Sequence, residues 1–451
     1  MFDGLTLPVG DYQQIRILLA PTFGSLTDSA KTLGLKENNE VVYNGTANAP
    51  LHIPGFEHGI ALVGHFSVSN TAPLNLVVDF DLDHDIVEFL KGSTPEFILK
   101  PRLRYFNLAA AGAIVGKLDP SVFQSAANPG GGYNFVIKAE ELSGDGTHHV
   151  VTRATTVRPD GSFTLFPLSA NSDGTVHNYD VLIRGRNVET VIVRSVPVRA
   201  NTAPARNPTV LTATPIKVAT DSEYSANLQP GVNPTGGWAN FYQTVPVASE
   251  VPYEVRFRQT NPFTGQFTDP IALSLGNLHW GDYNAGMDVV FSNGAAGEGA
   301  GNFTAVAEAP FFQRGAGVSV VPPVTPGTVA TFDPGTLATA SGVSASSVSG
   351  NLVVPPKYQG LGLDTGYLVV VRDGVIVNSI AIGNLLAANG GQYSIGNLPG
   401  GTAATPLKRA FYSLYAIAWS STIPGSGVYG TANTVADLRT GNAANVEVDL
   451  R

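Results

Sequence analysis

Residues 367–377 read Tyr-Leu-Val-Val-Val-Arg-Asp-Gly-Val-Ile-Val. Two runs of β-branched and aromatic residues flank an Asp-Gly pair. Such runs favour extended backbone, and Asp-Gly supplies the positive φ angles of a two-residue hairpin turn. The same grammar continues outward. Asn445-Val446-Glu447-Val448-Asp449-Leu450-Arg451 alternates apolar and polar positions. Upstream, Tyr253-Glu254-Val255-Arg256-Phe257-Arg258 alternates too, and Pro159-Asp160-Gly161 separates Thr152–Val157 from Ser162–Phe166. Apolar runs recur at Tyr179–Ile183 and Glu189–Val193. The expected fold is all-β, with tandem antiparallel β-sandwich or Ig-like domains and one short helix near residues 83–91. That helix is expected from Asp83 as N-cap, Asp85 in the first turn, and Ile86, Phe89 and Leu90 at helical spacing before Gly92.

Composition supports many strands joined by tight turns. The 451 residues include 50 Gly and 31 Pro, with 43% hydrophobic content. Only 14% of residues are charged, so the surface is expected to be neutral and polar or partly covered by assembly. A net charge of −9 and scattered basic residues speak against a nucleic-acid partner. Lys100, Arg102 and Arg104 alternate with apolar neighbours, as on a half-exposed strand. No apolar run is long enough for a membrane-spanning helix. Cysteine is absent, which with the low Lys content suits a bacterial secreted or cell-envelope β protein. The sequence does not open with a signal peptide, so for a secreted protein the chain is expected to have been processed or to start upstream of Met1.

The patterning divides the chain into residues 1–108, a β-sandwich over 109–203, a second over 204–322, a Thr/Ser/Ala/Gly/Pro-rich linker over 323–347, and a C-terminal sandwich over 348–451. In the first unit, Leu7-Pro8-Val9-Gly10-Asp11-Tyr12-Gln13-Gln14-Ile15-Arg16 is followed by Ile53-Pro54-Gly55, Gly59-Ile60, Asp79-Phe80-Asp81 and Ile98-Leu99-Lys100-Pro101-Arg102. In that order these elements resemble the bacterial envelope family known as domain of unknown function 4382, often found in lipoproteins. The resemblance implies location and architecture, and no activity. Members usually carry strands upstream of the Leu7-Pro8 element, so this domain is expected to lack its first strands. Residues 109–203 resemble the transthyretin-like sandwich of carboxypeptidase regulatory-like modules.

Chemistry-bearing motifs are sparse. Asp79, Asp81 and Asp83 could offer oxygens to Ca²⁺, although capping and backbone bonding account for them and no acidic loop with a distal Glu follows. His52, His58 and His65, with Glu57, fit no zinc spacing. His148-His149 reads as a polar hairpin tip. Nucleophile elbow, phosphate loop and dinucleotide fingerprint are all missing, so no catalytic residue, cofactor or enzymatic activity is expected. Trp238, Tyr242, Trp280 and Tyr283 could form a sugar-stacking row, against the commoner fate of aromatics in a core. The leading expectation is a non-enzymatic bacterial surface or extracellular structural or adhesive protein that forms a homo-oligomer or polymer, a filament or surface layer. Assembly is expected through strand addition at the terminal strand, with Val446, Val448 and Leu450 as its apolar face. The alternative is a monomeric glycan-binding module built on the aromatic row.

Overall fold

The computed structural model describes residues 7–451 except 44–46, 55, 57–58, 71–73, 81–84, 92–93, 102, 124–134, 172–174, 186–187, 201, 204–205, 220–222, 228–231, 248–249, 268–270, 275–277, 294–302, 321–329, 332–335, 389 and 424–425. Within them the chain is all-β. The longest helices, Asp28–Leu33 and Gly383–Ala388, have six residues each.

A six-stranded sheet lies at the centre of residues 136–293, in the order His149–Thr156, Val136–Leu142, His177–Arg184, Thr190–Val198, Leu278–Asp282, Ser292–Asn293. Its ladders are antiparallel apart from Thr190–Val198 with Leu278–Asp282, which run parallel. Val181, Ile183, Val191 and Val193 face a core shared with Ile114, Phe163 and Leu165. Leu182 and Ile192 point the other way, against Phe241, Tyr253, Val255 and Phe303. Strands buried on both faces need unbroken apolar runs, and Val181-Leu182-Ile183 and Val191-Ile192-Val193 supply them. The result is three layers. Ser162–Ser169, Ala111–Lys117 and Thr209–Val210 form one outer sheet. Tyr253–Gln259, Trp238–Gln243, Phe303–Glu308 and Val318–Val320 form the other.

The last hundred residues make a sheet in the order Val375–Ala381, Thr365–Arg372, Phe411–Trp419, Val428–Ala432, Ala443–Leu450, Ser344–Val353, Gln392–Gly400. It curls until its ends meet, where Asn378 Nδ2 donates to Gly396 O at 3.4 Å. The Asp373-Gly374 turn is the two-residue hairpin expected: Arg372 pairs with Val375, and φ is 54° at Asp373 and 86° at Gly374.

Here the structure corrects the assembly strand. Ala443–Leu450 is an interior strand, parallel to Ser344–Val353 on one side and antiparallel to Val428–Ala432 on the other. Val446, Val448 and Leu450 are buried in the chain's own core. Alternation at a chain end shows that one face is apolar, and it does not show that an edge is free. Gly350 permits the close parallel approach, because a Cβ there would sit 1.7 Å from Val446 O.

The expected helix near residues 83–91 is corrected over most of its length: residues 83–84 lie outside the described residues, and Asp85 is helical but directly followed by strand. Ile86–Lys91 is a strand antiparallel to Thr94–Leu99. Val87 and Phe89 face one core and Ile86 another, a period of two. A helix this short gains little by itself, and burial of Phe89 against Phe263 decides the outcome. Part of the expected linker is packed as well: Leu337 is buried in the second core, and Ser344 opens a ten-residue strand.

Candidate functional site

A cleft of about 350 Å³ opens beside the edge strand His149–Thr156, between Asp79 and Arg104 on one side and Asn240, Tyr242, Glu254 and Glu308 on the other. Its chemistry begins with Val136–Leu142. Ile137 and Ala139 face the first core, so Lys138 and Glu140 face the opposite layer and are buried. There they meet Tyr253–Gln259, the outermost strand of its sheet, whose outer backbone groups have no ladder partner among the described residues. Glu254 N donates to Glu140 Oε2 at 3.0 Å. Lys138 Nζ donates to Glu254 O at 2.8 Å and to Glu254 Oε1 at 3.2 Å. The two buried side chains therefore act as caps on an edge strand, where an unpaired buried backbone group costs about 1–3 kcal/mol.

Burial pushes the Glu140 carboxyl up to about 8; Lys138 opposes the rise, and the charges of Glu254 and Asp180 add to it. Glu140 is thus neutral below that pH. Tyr242 OH lies 3.5 Å from Glu308 Oε1, which also accepts from Arg314 Nε at 3.0 Å. The Arg314 guanidinium sits 4.8 Å over the Tyr242 ring. Burial, followed by the Arg314 charge, holds His148 below the usual histidine value.

A second network lies alongside. The His149 ring stacks on Tyr253 at 3.9 Å, and its Nε2 is 3.1 Å from Asp180 Oδ2. Tyr253 OH is 2.9 Å from Asp180 Oδ2 and 3.0 Å from Glu250 Oε2. Arg194 joins Glu250 to Asp282 across the parallel ladder, at 2.6 and 2.8 Å. The histidine pair is therefore buried and not a hairpin tip. The tip is Asp145–Thr147, where bonds from Ser143 and Thr147 hold the Asp145 carboxyl below its ordinary range.

The sites expected from sequence are placed as follows. Asp79 forms an ion pair with Arg153 at the cleft rim, while Asp81 and Asp83 lie outside the described residues. Among the described residues, no three acidic, His or Cys side chains converge as a metal-binding group. His52 is buried between Glu96, at 2.6 Å, and the Tyr415 hydroxyl, at 3.0 Å. His65 lies in a different cleft, and His58 and Glu57 are outside the described residues. Trp238 and Tyr242 are buried on one strand, Trp280 is packed against the second core and Tyr283 against the first. They do not make an exposed row. Lys138 and Glu140 carry no expectation from sequence, and His149 only that of a polar tip; the signal for the first two is Lys and Glu alternating with Ile137 and Ala139 in a strand next to runs apolar on both faces.

Residues 1–101 match the model of a family described as a domain of unknown function (DUF4382), the segment whose motifs carry that resemblance. No curated protein matches the chain. Among solved structures, it aligns with the crystal structure of two B repeat units (B1B2) of the collagen binding protein (CNA) of Staphylococcus aureus. Identity is 10% over 98% of this chain and 100% of that one, with a TM-score of 0.16, too low to carry any argument.

Proposed function

We propose that this chain is a non-enzymatic structural or adhesive protein of the bacterial cell surface or extracellular space. The observation that carries this reading is what the buried polar side chains do. Lys138 and Glu140 cap an edge strand, Arg194 ties a parallel ladder, and His52 bridges segments far apart in sequence. These side chains join one sheet or segment to another, as suits a protein whose work is to hold shape. The family matched over residues 1–101 and the sparse charge agree with an envelope setting. No helix among the described residues is long and apolar enough to cross a membrane. The test is protease shaving of intact cells of the source bacterium, followed by fractionation. Release of peptides from this chain by external protease is expected; recovery only from the lysed cytosol overturns the proposal.

Self-assembly by strand addition is a second reading, moved to another place. Gly10–Ile17 and Ile60–Val68 form a two-stranded ribbon whose outer edges have no partner strand among the described residues. An edge of this kind can template pairing with another chain. Negative-stain microscopy of the native protein decides it. Fibres support assembly, and monodisperse single particles exclude it.

A further inference from the structure

The hairpin at Asp373-Gly374 reaches back to the first hundred residues. Ala61 N donates to Asp373 O at 3.4 Å, and a Cβ on Gly374 would lie 3.1 Å from Ile60 Cα. Beside this contact is a cleft of about 560 Å³, lined by Gln13, Gln14, Arg16 and His65 from the ribbon, and by Asp373, Arg409 and Phe411 from the last sheet. Arg16 Nη2 and Arg409 Nη2 lie 3.9 and 3.0 Å from Asp373 Oδ1, and Arg372 Nε is 3.9 Å from Oδ2. Three guanidinium groups thus converge on one carboxylate, in a chain whose net charge is −9. Arg409 Nη2 and Arg372 Nε are buried and donate no hydrogen bond, since the approach to Asp373 is close without being aligned. Those two nitrogens face the protein; what the cleft offers a ligand is the exposed part of Arg16 and Arg409, which line it and are 40% and 41% exposed.

The rest of the lining narrows the ligand. Gln13 and Gln14 offer amide donors and acceptors of the kind that read hydroxyl groups. Phe411 is 44% exposed; the Arg439 guanidinium lies 4.4 Å over its ring, and the opposite face is the one that attracts C–H groups. An inorganic anion leaves both features without a role. We infer that this seam is a binding site for an acidic saccharide, a sugar ring that carries a carboxylate. The carboxylate engages Arg409 and Arg16, the hydroxyls meet the glutamines, and the C–H face of the ring lies against Phe411. Guanidinium matches carboxylate in a two-pronged geometry, and the cavity falls in the size range of small-molecule sites.

The test is calorimetric titration of the full chain with four probes: glucuronate, glucose, inorganic sulfate and a short Asp/Glu peptide. Glucuronate is expected to bind at least about tenfold more tightly than glucose or sulfate, the worth of one charge-assisted hydrogen bond. Arg409→Gln and Arg16→Gln, both at half-exposed positions, should each weaken glucuronate about tenfold with thermal stability retained. Phe411→Ala should weaken glucuronate and leave sulfate unchanged. Equal binding of glucose, or sulfate binding as tight as glucuronate, overturns the saccharide assignment. Tighter binding of the peptide overturns it in favour of a protein partner. Because binding is read on purified chain, its failure leaves the surface location standing, and the reverse also holds.

Discussion

At the scale of single residues, the most informative group is Glu140. Its folded carboxyl titrates at about 8 against 4.5 for an unperturbed one, so between those values the native chain keeps a proton that the unfolded chain has released. Stability attributable to this group therefore falls as pH rises from about 4.5 to about 8, by at most about 1.4 kcal/mol per pH unit, and is level outside that window. Glu140→Gln keeps an acceptor for Glu254 N and removes the titration. Thermal melts from pH 5 to 8 should show a flatter profile for the variant and a higher melting temperature than wild type at pH 8. Parallel profiles would disprove the neutral-Glu140 assignment. Gly374 gives a second expectation. With φ at 86° and Ile60 Cα 3.1 Å from where a Cβ would lie, Gly374→Ala should cost at least about 1–2 kcal/mol in a denaturant melt. Little of this was legible beforehand. Lys138 and Glu140 alternate with apolar residues, and such a pattern says solvent unless a further layer is known to cover that face.

At the scale of elements, local chemistry carried what local chemistry could decide. Asp373-Gly374 specified its turn because the φ requirement sits within two residues. Tyr253–Gln259 is a strand where alternation placed one. Ile86–Lys91 went the other way because its apolar residues fit a helix and a strand alike, and only contacts with Phe263 and the last sheet decide between them. Runs apolar at every position, at Val181–Ile183 and Val191–Val193, contained the three-layer arrangement in plain sight. The terminal strand provides the prediction for this scale. With both edges paired, Ala443–Leu450 is part of the last core, so Val448→Asp buries a charge with no counter-ion and should cost about 4 kcal/mol or more. Urea denaturation measures it. An unchanged midpoint would mean that the strand is dispensable to the fold, as a donor strand is.

At the scale of the whole molecule, the segment that matches a family model does not finish its own core. Phe89 and Ile98 pack on Val369, Val371, Ile417 and Trp419 of the last sheet, with Phe263 between them from the middle of the chain. Thr365–Arg372 explains how: Leu368 and Val370 face inward, so Val369 and Val371 turn to the first hundred residues, and Tyr-Leu-Val-Val-Val must be apolar throughout. His52 crosses the same seam to Tyr415, and its ring lies 4.9 Å from that of Tyr429. What covers this face of the first segment is thus about 270 to 330 residues away in the same chain, a contact no local pattern announces. Phe89→Ala should therefore destabilise by about 3–5 kcal/mol, as loss of a buried aromatic does. Hydrogen exchange should rise together in Thr94–Leu99, Thr365–Arg372 and Phe411–Trp419. Faster exchange confined to the first segment would mean that the seam is an incidental contact. By the same reasoning residues 1–101 expressed alone should bind hydrophobic dyes and associate, since Ile98 and Phe89, 0% and 4% exposed in the full chain, would face water. A monomeric, dye-negative fragment would show instead that the segment closes its core without the last sheet.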